Sequence, residues 1–87
     1  MALKTFTATR AADVPGRSNQ LRSWHLNMSG AGTVSFCDGS AAAPLFSFTY
    51  AAATNDKYAY SQPYPVFPNG LHVEVSAGLS RGCIDIV

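Results

Sequence analysis

The chain has 87 residues, of which 47% are hydrophobic and 13% are charged, and its formal net charge is +1. This length leaves room for one domain, and the composition is typical of a folded protein rather than a disordered one. The six cationic residues are spread along the chain and do not form a cluster of positive charge, so we do not expect nucleic acid as a partner. No apolar run is long enough for a membrane span or a signal peptide, so we expect no membrane partner and synthesis in a cytoplasm.

The first half of the chain predicts four short strands separated by turns. Residues 3–9 are rich in β-branched and aromatic side chains, and a polar loop is expected over residues 10–20. Alternating apolar side chains, which predict a half-buried strand, recur in the next three segments. These segments are residues 21–28 with Trp24, Leu26 and Met28 on one face, residues 33–38 with Val34 and Phe36, and residues 45–50 with Phe46, Phe48 and Tyr50.

The second half predicts a Pro/Tyr-rich arm and two further strands. A short strand is expected through Tyr58 and Tyr60, and the prolines of residues 62–67 restrict that segment to an edge or an extended arm. The sequence Pro68-Asn69-Gly70 predicts a tight turn into residues 71–75, where apolar and polar side chains alternate strictly. Residues 76–82, SAGLSRG, are interpreted as a turn before a last strand that contains Ile84 and Ile86.

Seven to eight short strands with frequent turn signals and no long helical pattern predict an all-β protein. We therefore expect a small antiparallel β-sandwich or jelly-roll-like domain over residues 1–87, with the polar loop near 10–20 and the arm near 58–68. A domain of this size has a high ratio of surface to volume, so burial of apolar surface between copies would add stability. Association with copies of itself is the corresponding prediction.

The titratable residues do not predict a reactive site. Cys37 and Cys83 are interpreted as reduced core residues, because neither belongs to a CxxC motif and each follows an apolar pattern. The candidate metal ligands have no recognisable spacing, and no GxSxG elbow or glycine-rich phosphate loop is present. The candidate metal ligands are His25, Cys37, Asp38, His72 and Cys83. We predict no catalytic residue, no metal site and no cofactor.

Aromatic residues of the arm are the one feature of the sequence that suggests a contact surface. Tyr58, Tyr60, Tyr64 and Phe67 lie within ten residues of one another. Tyrosines supply a large contact area together with a hydroxyl group, and they are enriched at interfaces. Two interpretations stay open: the cluster caps the open edge of the core, or it contacts another protein or a sugar ring.

The layout of the chain resembles the small β-sandwich proteins encoded among the structural genes of tailed bacteriophages. The resemblance covers most of the chain and rests on LKTFTATRAADVPGRSNQLRSWHL, TVSFCDGSAAAPLF, FPNGLHVEV and GCIDIV. It implies a non-enzymatic virion protein on the capsid or tail surface, a capsid decoration or cement subunit that binds the major capsid protein. The alternatives are a tail or neck adaptor, a fibre-associated subunit, or a small carbohydrate- or receptor-binding module that uses surface tyrosines to bind a host glycan.

Overall fold

The computed structural model describes residues 2–13 and 16–87, and this part of the chain forms two antiparallel sheets. The eight strands of this part are β1 (Ala2–Phe6), β2 (Asn19–Met28), β3 (Gly32–Asp38), β4 (Pro44–Tyr50), β5 (Thr54–Ala59), β6 (Val66–Phe67), β7 (Leu71–Val75) and β8 (Leu79–Ile86). Sheet 1 has the strand order β1-β8-β2-β5, with β6 beside β5 on the same edge of β2. Sheet 2 has the order β4-β3-β7.

The strand pairs are nested in the manner of a jelly roll. The outermost pair joins β1 to β8, and the innermost pair is the hairpin of β3 and β4. Between them, β2 pairs with β5, and Arg10 forms an isolated bridge with Val73 of β7. In a complete jelly roll a full strand would pair with β7 at this position, and here the Arg10 bridge takes its place. The predicted all-β fold, a small antiparallel sandwich, is confirmed, and no helix in the described part of the chain is long and apolar enough to cross a membrane.

The hydrophobic core lies between the two sheets, where alternation along the strands places the apolar side chains; in β2 a register shift between Leu21 and Ser23 allows both Leu21 and Trp24 to face inward. The predicted inward faces of β2, β3, β7 and the end of β8 are confirmed, and burying each large apolar side chain contributes roughly 1.5–3 kcal/mol. Phe46, Phe48 and Tyr50 of β4 pack against this core but are only partly buried. The core residues are Phe6, Leu21, Trp24, Leu26, Met28, Val34, Phe36, Phe67, Leu71, Val73, Ile84 and Ile86.

Two of the predicted turns have the geometry that their residues require. Gly70 has a φ of 99°, which favours glycine, and its N–H donates to the Phe67 carbonyl across the Pro68-Asn69 turn. Gly39 follows β3 with a φ of 83°. The Asp38 carboxylate accepts hydrogen bonds from the backbone N–H and the side-chain amide of Asn69, so the two turns are tied to each other.

The boundaries of β1 and of the following loop differ from the prediction. The first strand ends at Phe6 rather than at residue 9, and Arg10 within the predicted loop exchanges two backbone hydrogen bonds with Val73. Asn19 and Gln20 already belong to β2, where they pair with β6. Residues 14 and 15 of the predicted loop lie outside the described residues.

The prediction of a turn over residues 76–82 is wrong for its second half. The turn covers only Ser76 to Gly78, and β8 begins at Leu79. Gly82 suggested a turn, but it is a buried strand residue directly opposite Phe6 of β1. A Cβ atom at Gly82 would collide with the Phe6 ring. The glycine is therefore required by packing across the strands, which local sequence does not reveal.

We predict that Gly82→Ala destabilises the fold by about 1–3 kcal/mol, because the added methyl group displaces the Phe6 ring from the core. Chemical denaturation monitored by circular dichroism measures this change. Gly30→Ala is the matched control, since nothing lies within 4 Å of the Cβ position at Gly30. Equal stability of the two variants would contradict the packing argument.

Candidate functional site

The outer face of sheet 1 carries an open trough with a volume of about 520 Å³. It crosses all four strands of the order β1-β8-β2-β5, and its lining comes mainly from the outward positions of each strand. Apolar surface predominates in the lining. The trough is lined by Leu3, Ser23, Trp24, His25, Lys57, Tyr58, Ala59, Cys83 and Asp85.

Small side chains at the centre of the sheet make the trough concave. Strand pairing brings Leu3, Asp85, Ser23 and Ala59 into one row across the sheet. Leu3 at one end of this row is 70% exposed, whereas Ser23 in the middle is short and polar. Tyr58 also borders the trough at the edge strand β5, but it lies opposite Trp24 and its ring stacks on the indole. The trough therefore has an apolar wall at Leu3 beside a floor of small residues.

Cationic groups lie on one side of the row that contains Ser23 and Asp85. The next row across the sheet contains Cys83, His25 and Lys57, and a second depression shares His25 and Cys83 and adds Arg81. The His25 imidazole is hydrogen-bonded to the side chain of Asn55. Neither Lys57 nor Arg81 forms an ion pair with another described residue. Two cations are thus available to a negatively charged partner.

Asp85 supplies the carboxylate in the trough, and one of its oxygens is not hydrogen-bonded. The Arg22 Nε atom lies 3.9 Å from Asp85 Oδ2, so the negative charge is partly compensated. Asp85 Oδ1 is buried and has no hydrogen-bond partner among the described residues. An unpaired buried acceptor is costly, and its burial shields this oxygen from a partner that docks in the trough.

Tyr60 completes the core at the side where β4 and β5 lie, and Tyr58 packs beside it. The Tyr60 hydroxyl accepts a hydrogen bond of 3.2 Å from Trp24 Nε1. The Tyr58 and Tyr60 rings are 4.7 Å apart with an interplanar angle of 67°, and Tyr58 also stacks on Trp24. The two tyrosines therefore form an edge-to-face pair that caps the core, and they do not form one flat platform.

Tyr64 lies in a short excursion of the arm away from sheet 1. Tyr60 donates a backbone hydrogen bond to Arg22, and the chain returns where the Pro65 carbonyl accepts from Leu21. The half-buried Tyr64 ring lies beneath the Arg22 guanidinium, whose Cζ atom is 5.9 Å from the ring centroid. This cation–π contact occupies one face of the tyrosine that the sequence suggested as a contact residue.

Phe67 was expected to belong to the contact surface, but it is fully buried. In the two-residue strand β6, Val66 points outward and is 47% exposed, and Phe67 points into the core against Phe46. The prolines on either side restrict backbone pairing, but they do not determine which side chain faces the core. Of the four predicted contact residues, Tyr58 is the one classed as exposed.

The two cysteines are free, and they occupy different environments. Cys37 is fully buried; burial raises the pKa of its thiol, and the nearby Glu74 carboxylate raises it further. The core interpretation is wrong for Cys83, which alternates with buried Ile84 and therefore faces the trough.

On the outer face of sheet 2, His72 is hydrogen-bonded to Glu74 at 2.8 Å. The described residues contain no group of three or more His, Cys, Asp or Glu side chains arranged to hold a metal ion.

We predict that a thiol reagent such as Ellman's reagent labels Cys83 in the folded protein and labels Cys37 only after unfolding. The expected result is one reactive thiol per chain in buffer and both thiols in denaturant. Cys83→Ser should abolish labelling of the folded protein, and Cys37→Ser should leave it unchanged. Rapid labelling of both thiols in buffer would contradict the buried position of Cys37.

Comparison of the chain with protein-family models, with curated proteins and with solved structures finds no match in any of the three. The fold and the geometry of the trough are therefore the observations on which a function can be argued.

Proposed function

We propose that the protein is a non-enzymatic structural subunit of a bacteriophage virion, a decoration or cement subunit that binds the major capsid protein on the head. The observation that carries this proposal is the trough on the outer face of sheet 1. It combines the exposed apolar side chain of Leu3 with the free cation Lys57 on an open surface. Such a mixture of apolar and charged groups suits contact with another protein.

The strand order gives the proposal further support. Jelly rolls are recurrent in viral capsid proteins, although they also occur in lectins and other classes. Because one fold serves many functions, the nested pairing of β1 with β8 and β3 with β4 favours a virion role only by analogy. The chemistry of the trough must supply the specific part of the argument.

The trough indicates what kind of segment the capsid partner would present. Lys57 and Arg81 favour an acidic segment, and Leu3 favours an apolar side chain beside it. An extended acidic segment of the capsid protein with one apolar anchor meets both requirements.

We predict that Lys57→Glu weakens binding to capsid shells about tenfold, since it replaces an attraction by a repulsion at the edge of the contact. Co-sedimentation with shells assembled from the major capsid protein encoded in the same genome measures this change. Arg17→Glu is the matched control, because Arg17 is exposed, undergoes the same change of charge and does not line the trough. Failure of the unaltered protein to co-sediment at low salt would overturn the capsid role. Binding to purified tails instead of heads would favour a tail or neck adaptor or a fibre-associated subunit.

Carbohydrate binding is the second candidate, and the exposure of Tyr58 is the observation that favours it. More than half of this side chain is accessible, and a sugar ring could stack on it. If the protein binds a host glycan, we expect Tyr58→Ala to reduce binding to an array of bacterial surface oligosaccharides, while Tyr64→Ala has a smaller effect because Arg22 covers that ring. Absence of glycan binding by the unaltered protein would remove this candidate.

A further inference from the structure

The strand β4 is an open edge of sheet 2, with β3 as its one neighbour in the sheet. Proteins usually protect such edges with charged residues, since exposed backbone groups can pair with another chain. The longer edge strands of sheet 1 have this protection: β1 carries Lys4, and β5 carries Asp56 and Lys57. In contrast, β4 reads PLFSFTY, with no charged residue and with proline only at its first position.

The hydrogen-bond pattern of sheet 2 shows which groups of β4 are free. In an antiparallel pair, opposite residues exchange both backbone hydrogen bonds or neither, in alternation. Val73 exchanges both of its bonds with Arg10, so it cannot bond to Phe36, which lies opposite it in β3. Phe36 therefore directs its backbone groups toward Phe46 of β4. By alternation, the backbone groups of Ser47 point away from β3.

The hydrogen bonds between Thr33 and Ser76 indicate the same alternation near the C-terminal end of β4. The Thr33 carbonyl accepts from the Ser76 N–H at 3.0 Å, and the Thr33 N–H donates to Ser76 Oγ. The backbone of Thr33 therefore does not bond to the backbone of Thr49, which lies opposite it in β4; these two residues are joined through their hydroxyl groups, 3.1 Å apart. By this alternation the backbone N–H and C=O groups of Ser47 and Thr49 point to the open edge, and so does the Leu45 carbonyl, which shares a peptide unit with the Phe46 N–H; a bulge in β4 beside Cys37 interrupts the alternation before Leu45.

We propose that β4 pairs antiparallel with β4 of a second copy of the chain, about a two-fold axis at Ser47, to form one continuous six-stranded sheet. In this register Ser47 lies opposite Ser47, and Leu45 lies opposite Thr49 of the second copy. The free backbone groups of Ser47 then bond to those of Ser47 in the second copy, and the Thr49 N–H donates to the Leu45 carbonyl, while Phe46 and Phe48 face one another without backbone bonds between them. The pairing does not depend on the proposed capsid role.

The side chains of β4 fit this self-pairing. On the inner face, the partly buried Phe46 of one copy lies opposite Phe48 of the other, so each aromatic pair covers surface that a single copy exposes. On the outer face, Leu45 is 52% exposed and would be covered beside Thr49. The strand is uncharged, so no like charges meet across the axis. These features select a second copy of the chain as the occupant of the edge.

The test compares Ser47→Lys and Ser47→Glu with the unaltered protein by light scattering across a concentration series. The unaltered protein should approach twice the 9.2 kDa mass of one chain. Either charge would face itself across the axis and raise the dimer dissociation constant by roughly fivefold or more. Mixing the two variants places Lys opposite Glu and should restore the dimer. Thr5→Lys, an exposed position on the edge strand β1, is the control that should remain dimeric.

Circular dichroism of each variant separates loss of pairing from loss of fold, and restoration in the mixture requires that both variants are folded. Three results would overturn the proposal: a monomeric unaltered protein at every concentration, dimers of Ser47→Lys or Ser47→Glu as stable as those of the unaltered protein, or a mixture that stays monomeric. The last result tests the register directly, because only self-opposition of Ser47 brings the introduced charges together.

Discussion

The packing of Trp24 between the two sheets is the interaction on which the candidate site depends. Its ring centroid lies 4.8 Å from that of Phe48 and 5.9 Å from that of Phe36, so an aromatic cluster joins β2 to both strands of the hairpin in sheet 2. The indole N–H is satisfied by the Tyr60 hydroxyl, which places the start of the arm against the core. Tyr58, which stacks on the same indole, is thereby held against the inner side of β5, whose outward residues Lys57 and Ala59 line the trough. Core and surface are coupled through this one side chain.

Alternation of apolar and polar residues predicted the strands that have one buried and one exposed face. In β7 the bounds and the buried positions Leu71 and Val73 follow directly from the sequence. The pattern failed in β8, where Gly82 is set by the Phe6 ring of another strand and cannot be distinguished locally from a turn glycine. Cys83 could have been placed correctly from its alternation with Ile84, since adjacent strand residues face opposite ways.

The trough could not be predicted because it depends on register between strands that are distant in sequence. Ser23 and Ala59 are unremarkable alone, and they form part of a concave row only after β2, β5 and β8 are aligned. Small residues at outward positions of several strands were the available signal. Among the arm residues, Tyr58 was identified from composition, whereas the burial of Phe67 follows from the pairing of β6 with Asn19 and Gln20.

The position of β8 has a consequence for how the chain acquires its structure during synthesis. It lies between β1 and β2, so sheet 1 stays split while the ribosome is still producing β8. The pairing of Ala2 with Ile86 must then close a loop of nearly the whole chain. Such distant pairings are entropically costly to nucleate and fold slowly, so one edge of β2 stays unpaired in the nascent chain until β8 has been made. Sheet 1 therefore cannot be completed before β8 is available, however early its other strands are synthesised.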